Sequence, residues 1–342
     1  MLEIHPDNAL DYLHTRGVLE FGDSARVESL AWGVSNVVLR ITPENVQAFV
    51  IKQSRTQLRT KDPWFSRLDR IWREAQVLRV LESVLPPGVV PRVLFEDREN
   101  FLFAMEAAPA SHVVWKQLLL EGHTDVLIAR QLGRHLAAIH RQTAHRPELL
   151  SQFRDIEVFV QLRVDPFYRR VAAASRDAAP HIEALIAEMF SLPVCLVLAD
   201  YSPKNVLIAG ERIVLVDFET AHTGDPAFDL GFFFSHLLLK AVRNSAQFAE
   251  YAALTSEFWS TYLRDMAELA QDAPFAPVEI VRRSMGHTAA CMWARIDGTS
   301  QVDYLEEGQK QVVREFCKSL FREVPAGWNA LLARLEKRLQ AK

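Results

Sequence analysis

The sequence of 342 residues has few cysteines and no long apolar run, and these absences argue against several classes of protein. Its three cysteines, Cys195, Cys291 and Cys317, lie far apart and lack the spacing of a disulfide framework or a zinc site. The longest apolar run, LGFFFSHLLL, has about half the length that a bilayer span needs, and the N-terminus lacks the apolar region of a signal peptide. The sequence therefore predicts a soluble protein of the reducing cytoplasm that has no membrane partner.

A strong excess of charge of one sign is also missing. The formal net charge is -4, so the sequence predicts no basic surface for nucleic acid. Acidic and basic residues balance between positions 241 and 342, which disfavours a polycationic substrate. With 49% hydrophobic residues, the chain is long enough for one large domain or for two lobes with separate cores. Small-molecule chemistry is the function that these properties favour.

The order of strand and helix patterns predicts an α+β protein with two lobes. Runs rich in Val and Ile between residues 25 and 53 alternate with turn residues, which is typical of an antiparallel sheet. A helical period follows in SRLDRIWREAQVLRVLES, and two further strand patterns, RVLFED and NFLFAMEAA, come after it. Helical patterns dominate from Val113 onward. The sequence thus predicts a sheet-rich N-lobe with one main helix over residues 1–106 and a larger, mostly helical C-lobe over residues 107–342.

Carboxylates stand next to apolar runs in the segment LVLADYSPKNVLIAGERIVLVDFETAHTGDPAFDLG. Asp200 and Asn205 follow an apolar strand on one loop, and a hairpin that turns at residues 209–212 is predicted to end at Asp217. Residues two apart in extended backbone point to the same side, so Asp217 and Glu219 should face the same space. Carboxylate and amide oxygens suit Mg²⁺, which predicts Asn205, Asp217 and Glu219 as metal ligands. Asp200 would then lie apart from the metal, where a base for an attacking hydroxyl belongs.

The order of Asp200, Asn205 and Asp217 is also the order of the catalytic and metal-binding residues in protein kinases. The motifs ADYSPKN, VDFE and GDPAFDLG together resemble the kinase-like small-molecule phosphotransferases, a group of aminoglycoside phosphotransferases, choline kinases and methylthioribose kinases. WGVSNVVLRI resembles the phosphate loop of that family, FVIKQ its lysine strand, REAQVL its pairing helix, FLFAMEAAP its hinge and LGRHLAAIH an early helix of its larger lobe. The resemblance covers most of the chain. It implies a protein-kinase-like fold and a kinase that uses ATP and Mg²⁺.

The resemblance also implies which residues bind the nucleotide. They are Gly33, Ser35, Asn36, Lys52, Glu74, Lys204 and the backbone of Glu106 and Ala108. A lysine in the middle of an apolar strand needs an anionic partner, and Glu74 on the next helix is the nearest candidate for Lys52. The alternatives are a plain hairpin at the phosphate loop, a surface lysine and glutamate, and an ordinary edge strand at the hinge.

The motif GDPAFDLG has a structural interpretation of its own. Asp225 followed by Pro226 is typical of a helix start, with a capping carboxylate and a proline whose missing N–H costs nothing there. The resemblance implies that Asp229 braces the catalytic loop.

The acceptor is predicted to bind in the helical C-terminal part. EIVRRSMGH resembles a double-arginine segment of methylthioribose kinases, so Arg282 and Arg283 are candidate contacts of the transferring phosphate or of a sugar or anionic acceptor. Trp293 is a further candidate, and a solvated helix face is the alternative for the arginines. The function predicted is phosphorylation of a hydroxyl on a small metabolite such as a sugar or an amino alcohol.

Two residues depart from the family pattern just before the catalytic aspartate. Leu198 and Ala199 stand where the family usually has histidine and glycine. This departure motivates a second hypothesis, a nucleotide-binding pseudokinase with a regulatory role. A protein kinase is a third, which the short stretch between VDFE and GDPAFDLG disfavours because it leaves no room for an activation segment.

Overall fold

A computed structural model describes residues 1–30, 35–58 and 64–340. Its strands are β1 (Ala25–Ser29), β2 (Asn36–Pro43), β3 (Phe49–Ser54), β4 (Val93–Asp97), β5 (Leu102–Glu106), β6 (Val113–Val114), β7 (Cys195–Val197), β8 (Val206–Ala209), β9 (Arg212–Leu215) and β10 (His222–Gly224). Its α-helices are α1 (Pro6–Thr15), α2 (Arg70–Val84), α3 (Trp115–Leu120), α4 (Val126–Thr143), α5 (Pro147–Ser151), α6 (Glu157–Phe159), α7 (Arg170–Ala174), α8 (Ala179–Phe190), α9 (Pro226–Arg243), α10 (Phe248–Asp265), α11 (Pro277–Asp297), α12 (Glu307–Arg322) and α13 (Trp328–Gln340). A π-helical segment, Val160–Arg169, lies between α6 and α7.

The chain forms two compact units. The first unit consists of Met1–His112 and Leu207–Thr220, and the second of Val113–Val206 and Ala221–Lys342. The residues from the β8–β9 hairpin to Thr220 therefore belong to the first unit, although they come late in the sequence. The predicted lobe boundary after residue 106 did not foresee this return of the chain, because a boundary inferred from composition follows sequence order.

The first unit contains the antiparallel sheet that the sequence predicts. Its strand order is β1-β2-β3-β5-β4, and neighbouring strands run antiparallel. Lys52 lies on the central strand β3, opposite Val38 of β2 and Phe103 of β5. Helix α1 contributes Tyr12 and Leu13 to the hydrophobic core of this sheet. The central position removes Lys52 from water.

Helix α2 has the buried face that its periodicity predicts. Ile71, Ala75 and Leu78 are all buried, as the spacing of three to four residues requires for one face of a helix. Glu74 lies on the same helix and is also fully buried. A carboxylate in such a place requires a partner, because an unpaired buried charge is costly.

The predicted hairpin is confirmed, with one difference at its end. Strands β8 and β9 are neighbours, and the turn between them contains Gly210 at a φ of 62°. Strand β9 ends at Leu215 rather than at Asp217. Asp217 has a φ of 73°, a left-handed conformation that no strand contains. The alternation of extended backbone therefore does not apply from Asp217 to Glu219, and that part of the prediction is wrong.

Helix α9 is the centre of the second unit and is buried along almost its whole length. It begins as its sequence predicts: Asp225 accepts a hydrogen bond from the Ala227 N–H at 3.0 Å, and Pro226 occupies the first position. Gly231 lets α11 approach closely, because a Cβ on that residue would lie 2.7 Å from the Ser284 carbonyl oxygen. Among the described helices, α9 included, none combines the length and the apolar character that crossing a bilayer requires.

Candidate active site

In the first unit, a buried lysine is held between two carboxylates. Lys52 Nζ lies 2.8 Å from Glu74 Oε1 and 2.6 Å from Asp217 Oδ1. Lys52 is 5% exposed and Glu74 is fully buried, whereas the Asp217 side chain remains 22% exposed. The expected pairing of Lys52 with Glu74 is therefore present, and Asp217 joins it. Positions 52, 74 and 217 meet because a central strand, the helix that packs on the sheet and the end of the hairpin converge at one place.

The charges of this group alter one another. Burial works against the charge of Lys52, but the carboxylates of Asp217, Glu74 and Glu219 outweigh it and raise the pKa of Lys52 above its usual range. Burial raises the pKa of Glu74 to about 7; the charges of Asp217 and Glu219 act in the same direction, and Lys52 opposes them. Three carboxylates thus exceed the positive charge of Lys52 and of the neighbouring Arg70, while burial is the main cause of the shift at Glu74. Such a group attracts a further cation.

The donor set fits a hard divalent cation. One oxygen each from Glu74, Asp217 and Glu219 lies within 4.8 Å of the others. Oxygen donors of this kind suit Mg²⁺, which usually binds one or two protein carboxylates and takes its other ligands from water and phosphate. Asn205, the third predicted ligand, belongs to the second unit, where its Nδ2 donates to the Asp200 carbonyl oxygen at 3.0 Å.

Glu219 has a second set of contacts that the sequence did not reveal. Its Oε2 accepts hydrogen bonds from Asn36 Nδ2 at 2.8 Å and from Arg70 Nε at 3.1 Å. Arg70 is only 1% exposed and also donates to the carbonyl oxygens of Ser35 and Arg55. Arg70 thus ties Glu219 to the start of β2 and the end of β3. An arginine in the first turn of an amphipathic helix gives no sequence signal of this role, because most such residues face solvent.

The remaining predicted nucleotide residues of the first unit have the following positions. Gly33 lies outside the described residues. The Glu106 side chain pairs with Arg92 at 2.7 Å, and its N–H donates to the Arg92 carbonyl. The Ala108 carbonyl oxygen accepts a hydrogen bond from Arg40 at 2.9 Å. The binding of adenine by the backbone of Glu106 and Ala108 stays a prediction.

In the second unit, Asp200 is held by two cations. Its Oδ1 lies 2.9 Å from a terminal nitrogen of Arg163, and its Oδ2 lies 2.8 Å from Lys204 Nζ. Asp200 is 5% exposed. Arg163 Nε also donates to the Ala199 carbonyl oxygen at 2.7 Å, so the guanidinium fixes both the side chain and the loop. Sequence reasoning missed Arg163, whose one signal is a charged residue within the apolar run VFVQLRVDPFY.

Asp229 braces the backbone before Asp200, as the sequence predicts. Its two carboxylate oxygens accept hydrogen bonds from the N–H groups of Leu198 at 2.8 Å and Ala199 at 2.7 Å. His140 Nε2 lies 3.2 Å from the same carboxylate, and both side chains are fully buried. Leu198 is itself buried, so its side chain packs in the interior while its backbone keeps the bond to Asp229. The departure from histidine and glycine therefore leaves this brace in place.

Ala199 has a φ of 58°, a left-handed conformation that glycine adopts without strain. We expect Ala199→Gly to raise the free energy of unfolding by up to about 1 kcal/mol, because relief of the strain exceeds the added entropy of the unfolded chain. Ala199→Val should lower it by about 1–3 kcal/mol, since a β-branched residue tolerates this conformation least. Urea denaturation measures both variants.

Ala184→Gly is the control for that comparison, because Ala184 is exposed inside α8. The same substitution should there lower stability by about 1 kcal/mol. A loss of similar size for Ala199→Gly would show that residue 199 is not strained.

The two arginines predicted to contact the acceptor bind carboxylates within the second unit. Arg283 Nε lies 2.8 Å from Asp225 Oδ2, and both side chains are buried. Arg282 is partly exposed and pairs with Glu188 and Glu279. Both guanidinium groups are therefore paired with carboxylates. The contact of Arg282 and Arg283 with an acceptor stays a prediction.

Trp293, the third candidate, is buried in α11. Its Nε1 donates to Asp297 Oδ2 at 2.9 Å, and Arg314 binds the same carboxylate at 2.9 Å. The polar atom of the indole is therefore used in joining α11 to α12.

Comparisons with known proteins identify the family to which the sequence is related. The family model described as "Phosphotransferase enzyme family" matches residues 26–271. A methylthioribose kinase of Geobacillus kaustophilus (strain HTA426) is 25% identical over 327 residues, which covers 79% of this chain and 81% of the relative.

Solved structures show the same fold. The apoenzyme of a macrolide 2'-phosphotransferase from Brachybacterium faecium has a TM-score of 0.52 at 18% identity, over 94% of this chain and 99% of that chain. An amicoumacin kinase in complex with AMP-PNP and Ca²⁺ has a TM-score of 0.55 at 16% identity, over 88% and 89% of the two chains. The predicted protein-kinase-like fold class is thereby confirmed. Because the family model covers most of its length, the chain belongs to the phosphotransferase enzyme family, whose related members are small-molecule kinases.

Proposed function

We propose that the protein is an ATP-dependent kinase that phosphorylates a hydroxyl of a small metabolite, such as a sugar or an amino alcohol. The observation that carries this proposal is the buried Lys52, whose Nζ lies 2.8 Å from Glu74 and 2.6 Å from Asp217. A lysine held by a helix glutamate is the arrangement with which kinases bind ATP phosphates. The need for ATP favours the cytoplasm as the place of the reaction.

Residues of the first unit would bind the nucleotide. Lys52 would contact the phosphates, and Glu74 would keep its ammonium group in position. The other nucleotide contacts that we propose are Ser35, Asn36, Glu106, Ala108 and, from the second unit, Lys204. Gly33, outside the described residues, is a further proposed contact.

Asp217, Glu219 and Asn205 would hold Mg²⁺. The ion would supply positive charge that neutralises the phosphate oxygens during transfer. Glu219 is already oriented for this role by Asn36 and Arg70. Arg70 would therefore act as a positioning residue for a ligand.

Asp200 would act as the base for the acceptor hydroxyl. The hydroxyl oxygen forms a bond to the γ-phosphorus while the bond from that phosphorus to its bridging oxygen breaks, so ADP leaves. The hydroxyl proton passes to the Asp200 carboxylate. Arg163 and Lys204 fix the orientation of this carboxylate. Catalysis then consists mainly of positioning and charge neutralisation.

A pseudokinase that binds nucleotide without transferring phosphate is the second candidate. The observation in its favour is the presence of Leu198 and Ala199 where the family usually has histidine and glycine. The bonds of both residues to Asp229 favour the active enzyme, since the loop keeps its brace.

An ATP-consumption screen over sugars and amino alcohols distinguishes the two candidates. 5-Methylthioribose is the first acceptor to test, because the Geobacillus relative is named for it. We expect phosphate transfer to an acceptor with the wild type and none with Asp217→Asn. Asparagine has nearly the same shape as aspartate but lacks the carboxylate that we propose as a metal ligand. A rise of the melting temperature with ATP, together with no transfer to any acceptor, would instead identify a pseudokinase.

A further inference from the structure

The second unit buries a group of basic side chains that the proposed reaction does not use. Lys240 and His236 lie one turn apart on α9, and Arg295 lies on α11. Lys240 is only 1% exposed, and its Nζ donates to the His236 carbonyl oxygen of its own helix at 3.0 Å. Within residues 1–30, 35–58 and 64–340, no carboxylate forms an ion pair with it. A buried ammonium group whose one hydrogen bond goes to its own helix is costly to retain.

Other polar atoms around Lys240 also lack partners. In the part of the chain that the structure describes, His236 Nε2, Arg295 Nε and the Tyr304 hydroxyl are buried without a hydrogen bond. Lys240 Nζ lies 5.7 Å from the centre of the Tyr304 ring. Buried polar atoms are nearly always satisfied in folded proteins by protein, water or ligand, so these neighbouring donors are candidates for binding a ligand.

A chain of contacts connects this group to Asp200. Arg163 binds the Asp200 carboxylate at 2.9 Å, and its guanidinium carbon lies 5.3 Å from the centre of the Phe232 ring. The Phe232 ring lies 4.9 Å from the His236 ring, one helical turn before Lys240. These contacts connect the basic side chains to Arg163, which holds the Asp200 carboxylate.

The charges of the group act on one another. Burial, followed by the charges of Lys116 and Arg295, lowers the pKa of Lys240 well below its usual value. Burial, followed by the charges of Lys240 and Arg295, does the same to the pKa of His236. Asp303 offsets a part of the positive charge at Lys116 and Arg295. An anion bound among these side chains would remove their repulsion and supply the missing partner.

We propose that the acceptor carries an anionic group, a carboxylate or a phosphate, that binds Lys240, His236 and Arg295 while its hydroxyl lies at Asp200. This inference rests on the proposed function and specifies its substrate as a hydroxy acid or a phosphorylated alcohol or sugar. The anion replaces the His236 carbonyl oxygen as the partner of the Lys240 ammonium group. A neutral acceptor of the same shape would leave these donors unsatisfied, and this penalty is the source of specificity.

Lys240→Met tests the inference, because methionine keeps most of the length of the side chain and removes its charge. We expect kcat/KM for an anionic acceptor to fall about 100-fold, as for the loss of a charged hydrogen bond. The melting temperature should rise, since the variant no longer buries an unpaired charge.

Lys318→Met is the matched control. Lys318 Nζ also lies over an aromatic ring, 5.9 Å from the centre of Trp293, but it has a carboxylate partner, Glu315, at 3.3 Å. This variant should keep the wild-type kcat/KM for every acceptor.

Pairs of acceptors that differ in the anionic group provide the readout. Glycerate is compared with glycerol, homoserine with 3-amino-1-propanol, and ribose 5-phosphate with ribose, so that carboxylate and phosphate are tested separately. Preference of the wild type for an anionic member, lost in Lys240→Met and kept in Lys318→Met, supports the inference. Equal use of both members, preference for the neutral one, or a preference that survives in Lys240→Met overturns it and leaves the proposed kinase function intact.

Binding without nucleotide separates the two proposals further. If the protein consumes ATP with none of the acceptors, the proposed function fails. The melting temperature of the protein with each anion alone then tests whether the anion site exists. A rise in the wild type that disappears in Lys240→Met shows an anion site. No rise with any anion overturns it.

Discussion

Replacement of Asp200 by asparagine is expected to lower kcat by about 10²- to 10⁴-fold, the usual contribution of a general base. Asparagine has the shape of the aspartate but does not accept the hydroxyl proton. Arg163 and Lys204, which form ion pairs with the carboxylate at 2.9 and 2.8 Å in the wild type, can still contact the amide oxygen of asparagine. ATP binding, measured by calorimetry or by the shift in melting temperature, should therefore remain close to that of the wild type.

Asp165→Asn is the control for this variant. Asp165 also pairs with an arginine in the second unit, Arg169 at 2.6 Å, but both side chains are about half exposed. Its replacement should leave kcat unchanged, because an exposed ion pair contributes little. Turnover by Asp200→Asn at the wild-type rate would contradict the role of Asp200 as base, whereas loss of ATP binding would show that its role is structural.

Much of the fold follows from local sequence patterns. The strands of the antiparallel sheet, the buried face of α2 and the hairpin before Asp217 have periods and turn residues that a short window contains. The pairing of Lys52 with Glu74 was also predictable, because a mid-strand lysine needs an anion and the next helix offered one.

The parts that sequence reasoning missed depend on residues that are distant along the chain. Arg163 reaches Asp200 across 37 positions, and Arg70 reaches Glu219 across 149. An isolated arginine looks the same in a sequence whether it is exposed or buried, so only the folded chain reveals its partner. Lys240 escaped notice for the related reason that its segment, LGFFFSHLLLK, looks like the end of an apolar helix with an exposed lysine.

The conformation at Asp217 was misjudged for a different reason. The alternation of strand residues predicted that Asp217 and Glu219 share a side, and their oxygens do lie within 4.8 Å of each other. The chain reaches this arrangement through a left-handed residue instead of extended backbone. Aspartate is among the residues that adopt this conformation most readily, and strained backbone is common where ligands bind.

Loss of the Asp229 carboxylate should have the largest effect on stability. We expect Asp229→Ala to lower the free energy of unfolding by about 3–5 kcal/mol, the usual result of removing one partner of a buried charged interaction. Three groups would lose their acceptor: the N–H groups of Leu198 and Ala199, and the ring of His140. Urea denaturation of the variant and the wild type measures the difference.

The same substitution should also reduce turnover, because the two N–H groups belong to the residues immediately before Asp200. Asp125→Ala is the matched control: Asp125 accepts the N–H of Leu127 at 2.8 Å at the start of α4 but is exposed. Its loss should cost about 1 kcal/mol, as for an ordinary helix cap, and leave kcat unchanged. If Asp229→Ala cost no more than this control, its carboxylate would not be what holds the catalytic loop. A large loss of stability with full turnover at low temperature would show that the Asp229 brace serves folding alone. In that case Arg163 would position the loop, through its contacts with the Ala199 carbonyl and the Asp200 side chain.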